Sequence, residues 1–137
     1  MVYGSFACIL ITAIAFFVFA VKYGLGQRPQ PHHREAARRA GLADGIEANA
    51  LFRGLYCPLA AAWAGLGILL VYVALTAIPT RDIPLLLVMT SAVEAAGITA
   101  AVVAYRFESD TGIRAPWRPA AAIVPLPLIG FVLALMA

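Results

Sequence analysis

Long apolar runs alternate with shorter polar segments along this chain of 137 residues. A helix that crosses a membrane needs about 20 consecutive apolar residues. Four runs approach or exceed that length, at about 2–23, 55–78, 83–105 and 120–137. The pattern therefore predicts an all-α integral membrane protein, in which residues 1–137 form one bundle of four transmembrane helices.

The segments between the runs predict how the chain turns. Thr80 or Asp82 is expected to cap the third helix after a tight hairpin. In the longest polar segment, residues 24–54, the residues before Arg34 are expected to be extended or turning. A short helix is predicted to run from Arg34 to a stop at Gly41.

Two local patterns refine the helix ends. Asp44, followed by Glu47, matches a capping box and predicts that the second membrane helix begins near Gly45, outside the membrane. Pro125 and Pro127 predict that the fourth span kinks or starts shallow, because proline lacks the amide hydrogen that a helix uses.

Basic residues are concentrated in and beside two of the connections. Of the ten Lys and Arg residues, only Arg81 lies away from the connections that follow the first and third spans. Short cytoplasmic loops collect Lys and Arg preferentially. Both basic connections are therefore predicted to be cytoplasmic, with both chain termini outside.

Composition supports a membrane class and excludes others. Apolar residues make up 63% and charged residues 12%, against about 45–50% and about 25% in soluble domains. The net charge of +3 is small and lies beside the spans, which indicates anionic membrane lipid and not nucleic acid as the partner. The abundance of Ala and Arg favours a bacterial inner membrane.

Glu94 is the only ionisable residue deep in a predicted span. Helical spacing places Thr90 and Ser91 near its face. A charged carboxylate at mid-bilayer costs about 3 kcal/mol on insertion scales, so Glu94 is expected to be protonated and to face protein or a wet cavity. Two hypotheses follow: a proton or ligand site, or a structural hydrogen bond to a neighbouring helix or subunit.

Small residues recur on the spans. In the third span Ala92, Ala96, Ala100 and Ala104 are four residues apart, and such ridges are expected to let helices approach closely. His32 and His33 are adjacent and are expected to be solvated, with side chains pointing apart. The sequence shows no metal-ligand spacing and no histidine within a span, so neither a metal nor haem is expected.

The connection after the third span is rich in arginine and proline. Arg114 and Arg118 flank the segment Ala115-Pro116-Trp117. Together with Asn49 and Arg53 before the second span and Tyr105 at the end of the third, they are expected to form a cationic pocket at the membrane surface. Arginine forks in such a pocket suit a carboxylate or phosphate; the alternative is ordinary anchoring at the cytoplasmic face.

In these features the chain resembles the MAPEG family, the membrane-associated proteins in eicosanoid and glutathione metabolism. The resemblance is carried by the four spans, Asn49, Tyr105 and the segment from Arg114 to Arg118. It implies a homotrimer that binds glutathione between subunits near the cytoplasmic side, with an arginine assisting thiolate formation. Gly45 and Phe52 stand where the family has Arg and Glu. The run from Gly112 to Trp117 is also similar to a loop of the SdpI-type immunity proteins.

Two hypotheses for function remain open from the sequence. The first is a MAPEG-like, glutathione-linked membrane transferase or a degenerate relative. The second is a non-catalytic accessory subunit that packs against a larger inner-membrane complex, such as a respiratory, photosynthetic or transport complex, through its small-residue ridges and Glu94.

Overall fold

Helices are the only regular secondary structure in the part of the chain that the computed structural model describes. It describes residues 1–26, 29–42 and 46–137, with side chains in the last range from residue 50 onward. Within these residues the helices are α1 (Val2–Gly24), α2 (Pro31–Arg39), α3 (Ile46–Thr80), α4 (Ile83–Thr111), α5 (Trp117–Ile123) and α6 (Pro125–Leu135).

Four helical segments are long and apolar enough to cross a membrane, as predicted. They are Val2–Gly24, Ala50–Thr80, Ile83–Thr111 and Trp117–Leu135. The second membrane helix begins well before the apolar run, since α3 starts at Ile46, next to the predicted start at Gly45. Gly45 itself and the proposed Asp44 cap lie outside the described residues.

The hairpin between α3 and α4 is as tight as expected. Asp82 is the N-cap of α4, and its side chain accepts a hydrogen bond from the Leu85 amide at 3.0 Å. Arg81 has a φ of 54°, a left-handed conformation that reverses the chain over very few residues. At its other end α4 continues past the predicted Tyr105 and stops at Gly112, whose φ is 66°.

Proline determines two further helix boundaries. The fourth span is divided at Val124, between α5 and α6, but Val124 keeps helical backbone angles (φ −47°, ψ −46°), so the kink at Pro125 stays a prediction. The short helix α2 starts at Pro31, because proline is well suited to the first turn of a helix. The expectation that residues 31–33 are extended is therefore wrong, although the stop at Gly41, with a φ of 75°, is confirmed.

Contacts between residues far apart in the sequence define the two ends of the bundle. At one end the Arg39 guanidinium donates to the Thr111 carbonyl oxygen at 3.0 Å, so both basic connections lie together; we call this the basic end. At the other, which we call the hairpin end, the Arg81 guanidinium donates to the carbonyl oxygen of Ala137. The same end holds the N-terminus, because Gly4 packs against Leu133.

The packed core lies toward the hairpin end. Helix α1 packs mainly on α3 and also on α6, while α4 packs most on α5 and to an equal, smaller extent on α3 and α6. The main cluster of buried apolar side chains consists of Ile9, Ala13, Phe16, Leu70, Val73, Ala74, Ala77, Ile78, Leu86, Met89, Val93 and Ala134. These residues fill the half near the hairpin, and they leave the basic half less tightly closed.

Candidate functional site

A cavity of about 690 Å³ lies between the helices in the basic half of the bundle. We call it the apolar cavity. Helices α1, α3 and α4 each contribute a stripe of residues at helical spacing: Thr12, Phe16, Phe19 and Tyr23; Leu59, Ala62, Trp63 and Leu66; and Val93, Ala96, Ala100, Ala104 and Phe107. Its size lies in the range of about 300–1,000 Å³ that is usual for small-molecule sites.

The alanine ridge of α4 explains why this space is open. Ala96, Ala100 and Ala104 line the apolar cavity, and their methyl groups are too short to fill it. The expectation that this ridge packs closely on a neighbouring helix is therefore wrong within one chain. Close approach occurs at glycines instead: a Cβ on Gly67 would lie 3.0 Å from the Phe17 ring, and one on Gly97 would lie 3.2 Å from Val124.

Helix α2 brings both histidines to the basic end of the apolar cavity. His32 and His33 line it, both are partly buried, and their ring centroids are 4.2 Å apart. The expectation of solvated side chains pointing apart is wrong. The reason is the early start of α2 at Pro31, which places both residues in the first turn of a helix that lies against the bundle.

A buried tyrosine fixes the second histidine. Tyr56 is 6% exposed, and its hydroxyl oxygen accepts a hydrogen bond from the backbone N–H of Gln30 at 3.2 Å. The same hydroxyl is hydrogen-bonded to Nδ1 of His33. The side chain of Gln30 donates in turn to the Lys22 carbonyl oxygen at 3.2 Å, so the end of α1, the start of α2 and α3 are held together.

The environment keeps both imidazoles neutral at pH 7. Burial, followed by the nearby His33 and Lys22, lowers the pKa of His32 to about 4. Burial also lowers the pKa of His33 below its usual value. A neutral imidazole offers one N–H donor and one acceptor nitrogen, so the pair presents hydrogen-bonding groups without charge.

Aromatic rings surround the histidines. Phe107 of α4 presents its edge to both imidazoles, with centroids 5.8 Å from each. Phe52 of α3 is stacked on His33 at 6.0 Å, with the planes 7° apart. Tyr23 of α1 meets Tyr56 edge to face at 5.1 Å. The basic end of the apolar cavity is thus bounded by aromatic side chains from several helices.

Two of the predicted anion-binding residues meet through Trp117. The guanidinium of Arg118 lies 4.6 Å from the centre of the Trp117 ring, and Tyr105 packs edge to face on the same ring at 5.4 Å. Arg118 also forms an ion pair with Glu108 at 3.1 Å. Glu108 is itself held by the Ala115 amide at 2.8 Å, so the charge of Arg118 is already partnered.

The other predicted pocket residues have different surroundings. Arg53 is exposed and lines a second cavity of about 480 Å³ with Tyr23 and Cys57, away from the contacts of Arg118. Arg114 is exposed. The side chain of Asn49 lies outside the described residues, so its role in anion binding stays a prediction.

Glu94 of α4 contacts the middle of the fourth membrane segment. Its Oε1 accepts a hydrogen bond from the Leu128 amide at 3.2 Å, in the first turn of α6. Helix N-termini carry unsatisfied amides and a partial positive charge, so an acceptor is favourable there. Of its predicted neighbours, Thr90 is buried and Ser91 is exposed.

Sequence reasoning missed the group formed by His32, His33 and Tyr56. Pro31 was the available indication, because proline is favoured at the first position of a helix and histidines directly after it would share that helix. The contact with Tyr56 joins residues far apart in sequence and has no local pattern. Across residues 1–26, 29–42 and 50–137, no three His, Cys, Asp or Glu side chains are grouped as metal ligands.

Comparison with protein-family models, with curated proteins and with solved structures gives no match for this chain. The case for a function therefore rests on the geometry of the apolar cavity and its histidines.

Proposed function

We propose that this chain is a multi-pass membrane protein that binds an amphiphilic molecule from the bilayer in the apolar cavity. The observation that carries the proposal is the cavity itself: about 690 Å³ of space with mostly hydrocarbon and aromatic walls. Its neutral histidines stand at one end. Such a site suits a hydrocarbon chain with a small polar head, because apolar area drives binding and a few polar groups set orientation.

Helix length supports a position at the membrane surface for the polar end of the site. Helix α4 spans Ile83–Thr111, and at a rise of 1.5 Å per residue it extends roughly 40 Å. The hydrocarbon core of a bilayer is about 30 Å thick. With the hairpin at one surface, Phe107 and the histidines beside it lie at headgroup level on the other. An amphiphile would then keep its head and tail at their usual depths.

The glutathione-linked transferase activity implied by the MAPEG resemblance would extend this proposal. In such an enzyme the apolar cavity would hold the hydrophobic co-substrate. The carboxylates of glutathione would need exposed arginines, for which Arg53 and Arg114 are available. Arg118 is paired with Glu108 within the chain, so a homotrimer would have to bring Arg53 and Arg114 of different subunits together.

Filling the apolar cavity should reduce binding. The double variant Ala96→Phe/Ala100→Phe places two rings on the wall of α4, and we expect it to weaken binding of a fluorescent long-chain lipid probe by at least about tenfold, or 1.4 kcal/mol. The matched control is Ile98→Phe/Val102→Phe, at exposed positions on another face of the same helix. Probe titration in detergent micelles and native mass spectrometry of retained lipid provide the measurements.

Two outcomes would count against lipid binding. Equal probe affinity for the filled variant and the control would show that the probe binds elsewhere. Purification without any lipid, but in fixed ratio with another polypeptide, would favour the accessory-subunit hypothesis instead, with a partner helix occupying the cavity.

We also propose that the basic end is cytoplasmic, from the distribution of Lys and Arg. In a background of Cys8→Ala and Cys57→Ala, the exposed positions Ala40 and Ser109 mark the basic end, and Thr80 marks the hairpin end. With single cysteines at these positions, a membrane-impermeant maleimide should label only the Thr80→Cys variant in intact cells. Labelling of Ala40→Cys or Ser109→Cys before the cells are permeabilised would reverse the orientation.

A further inference from the structure

The hydrogen bonds of Tyr56 favour one tautomer of His33. The Tyr56 hydroxyl oxygen accepts from the backbone amide of Gln30, and among the described residues Nδ1 of His33 is the acceptor in reach of the hydroxyl proton; donation to Nδ1 leaves both the oxygen and the proton of the Tyr56 hydroxyl hydrogen-bonded. In a neutral imidazole that accepts at Nδ1, the proton resides on Nε2. Among the described residues Nε2 has no hydrogen-bond partner, and His33 lines the apolar cavity. The ring therefore offers a positioned N–H donor.

The surroundings of this donor favour a flat headgroup. Phe107 meets both histidine rings edge-on, and Phe52 lies parallel to His33. Deeper in the cavity the lining turns to Phe19, Trp63 and Phe16. Aromatic walls pack well on planar rings through stacked and edge-to-face contacts. A strongly hydrated anion would instead lose its water there, and no cationic side chain among the described residues is hydrogen-bonded to the histidine pair to compensate.

We infer that the apolar cavity takes an amphiphile whose head is a planar, carbonyl-bearing ring of the quinone type. Its carbonyl oxygen accepts a hydrogen bond from Nε2–H of His33, and its hydrocarbon tail extends along the cavity toward Val93 and Thr12. This inference rests on the proposed function, since it names the class of ligand that the same cavity would hold.

The test compares two probes that share a tail and differ in the head. Decyl-benzoquinone carries the carbonyl oxygens, and decylbenzene lacks them. For the wild-type protein in lipid nanodiscs, we expect the quinone to bind about tenfold more tightly than decylbenzene, the effect of one added hydrogen bond in an apolar site. Displacement of a bound fluorescent lipid probe measures both affinities.

Variants at His33 assign the donor. His33→Phe keeps a flat ring but has no N–H, so the ratio of quinone to decylbenzene affinity should fall from about tenfold to about one. Measurable decylbenzene binding, together with a cooperative thermal transition in detergent, shows that this variant is folded. His33→Gln places an amide N–H at a similar distance along the side chain and should restore part of the preference.

The possible results separate the two proposals. Equal affinity of the two probes for the wild-type protein would overturn the quinone-type headgroup while leaving lipid binding intact. A quinone preference that persists in His33→Phe would overturn the assignment of His33 as donor. Failure of both probes to bind the wild-type protein, or equal binding of the quinone by the cavity-filled variant Ala96→Phe/Ala100→Phe, would overturn the proposed function itself.

Discussion

Glu94→Lys is expected to prevent the bundle from assembling, whereas Glu94→Gln is expected to stay close to the wild-type stability. The glutamine keeps a side-chain oxygen that can accept from the Leu128 amide, the bond that Glu94 makes across α4 and α6. The lysine has no acceptor and puts a cation beside a helix N-terminus, where the macrodipole is positive. A cation at mid-membrane costs about 3 kcal/mol on insertion scales, and the lost acceptor adds about 1–3 kcal/mol.

Glu94→Leu separates these two effects, because it removes the acceptor without adding a charge. We expect it to lie between the glutamine and lysine variants. The measurements are the yield of monodisperse protein in mild detergent and the melting temperature in that detergent. A leucine variant as stable as the wild type would show that the bond to Leu128 contributes little, and a stable lysine variant would show that Glu94 does not face protein.

Gly130→Leu is the second substitution for which we expect a large loss of stability. A Cβ at Gly130 would lie 3.1 Å from a side-chain carbon of Ile9, 3.2 Å from Cβ of Cys8 and 3.3 Å from the carbonyl oxygen of Ser5. The Ser5 oxygen belongs to the backbone of α1, so it cannot move aside as a side chain would. Overpacking typically costs about 1–3 kcal/mol, and contact between membrane helices depends on close packing of small residues.

The matched control is Gly65→Leu. Gly65 also lies in a membrane helix, α3, but a Cβ added there would have no atom within 4 Å outside its own helix backbone and chain neighbours. We expect Gly65→Leu to melt within a few degrees of the wild type and Gly130→Leu to melt clearly lower, measured by thermal unfolding in the same detergent. Equal melting temperatures would mean that the contact between α1 and α6 does not limit stability.

The helical architecture could be predicted from the sequence because hydrophobic run length and turn residues are local properties. The four spans, the Asp82 cap and the division of the fourth span before Pro125 all follow from patterns of a few neighbouring residues. Even the early start of α3 could be predicted, since Asp44 and Glu47 indicate a helix before the apolar run begins.

The site could not be predicted in the same way. Alanines at 96, 100 and 104 are compatible with tight helix packing or with an empty space, and only the relative positions of α1, α3 and α4 decide between them. The bond between His33 and Tyr56 joins residues on separate helices, and nothing near either residue indicates the other. The positions of the basic residues along the sequence predicted that Arg39 and Arg118 lie at the same end of the bundle, yet they could not show that Arg118 is already paired with Glu108.

The uneven distribution of the core has a mechanical consequence. Buried contacts hold α3 and α4 together near the Arg81–Asp82 turn. Farther along, α4 faces the apolar cavity, so α4 can tilt relative to α3 about that turn. From Ile83 to Phe107, α4 is roughly 36 Å long at 1.5 Å per residue. A tilt of α4 by only about 3° about the turn therefore moves Phe107 by roughly 2 Å. A bilayer thinner than the span, to which membrane helices adjust partly by tilting, would thereby change the width of the apolar cavity at its basic end.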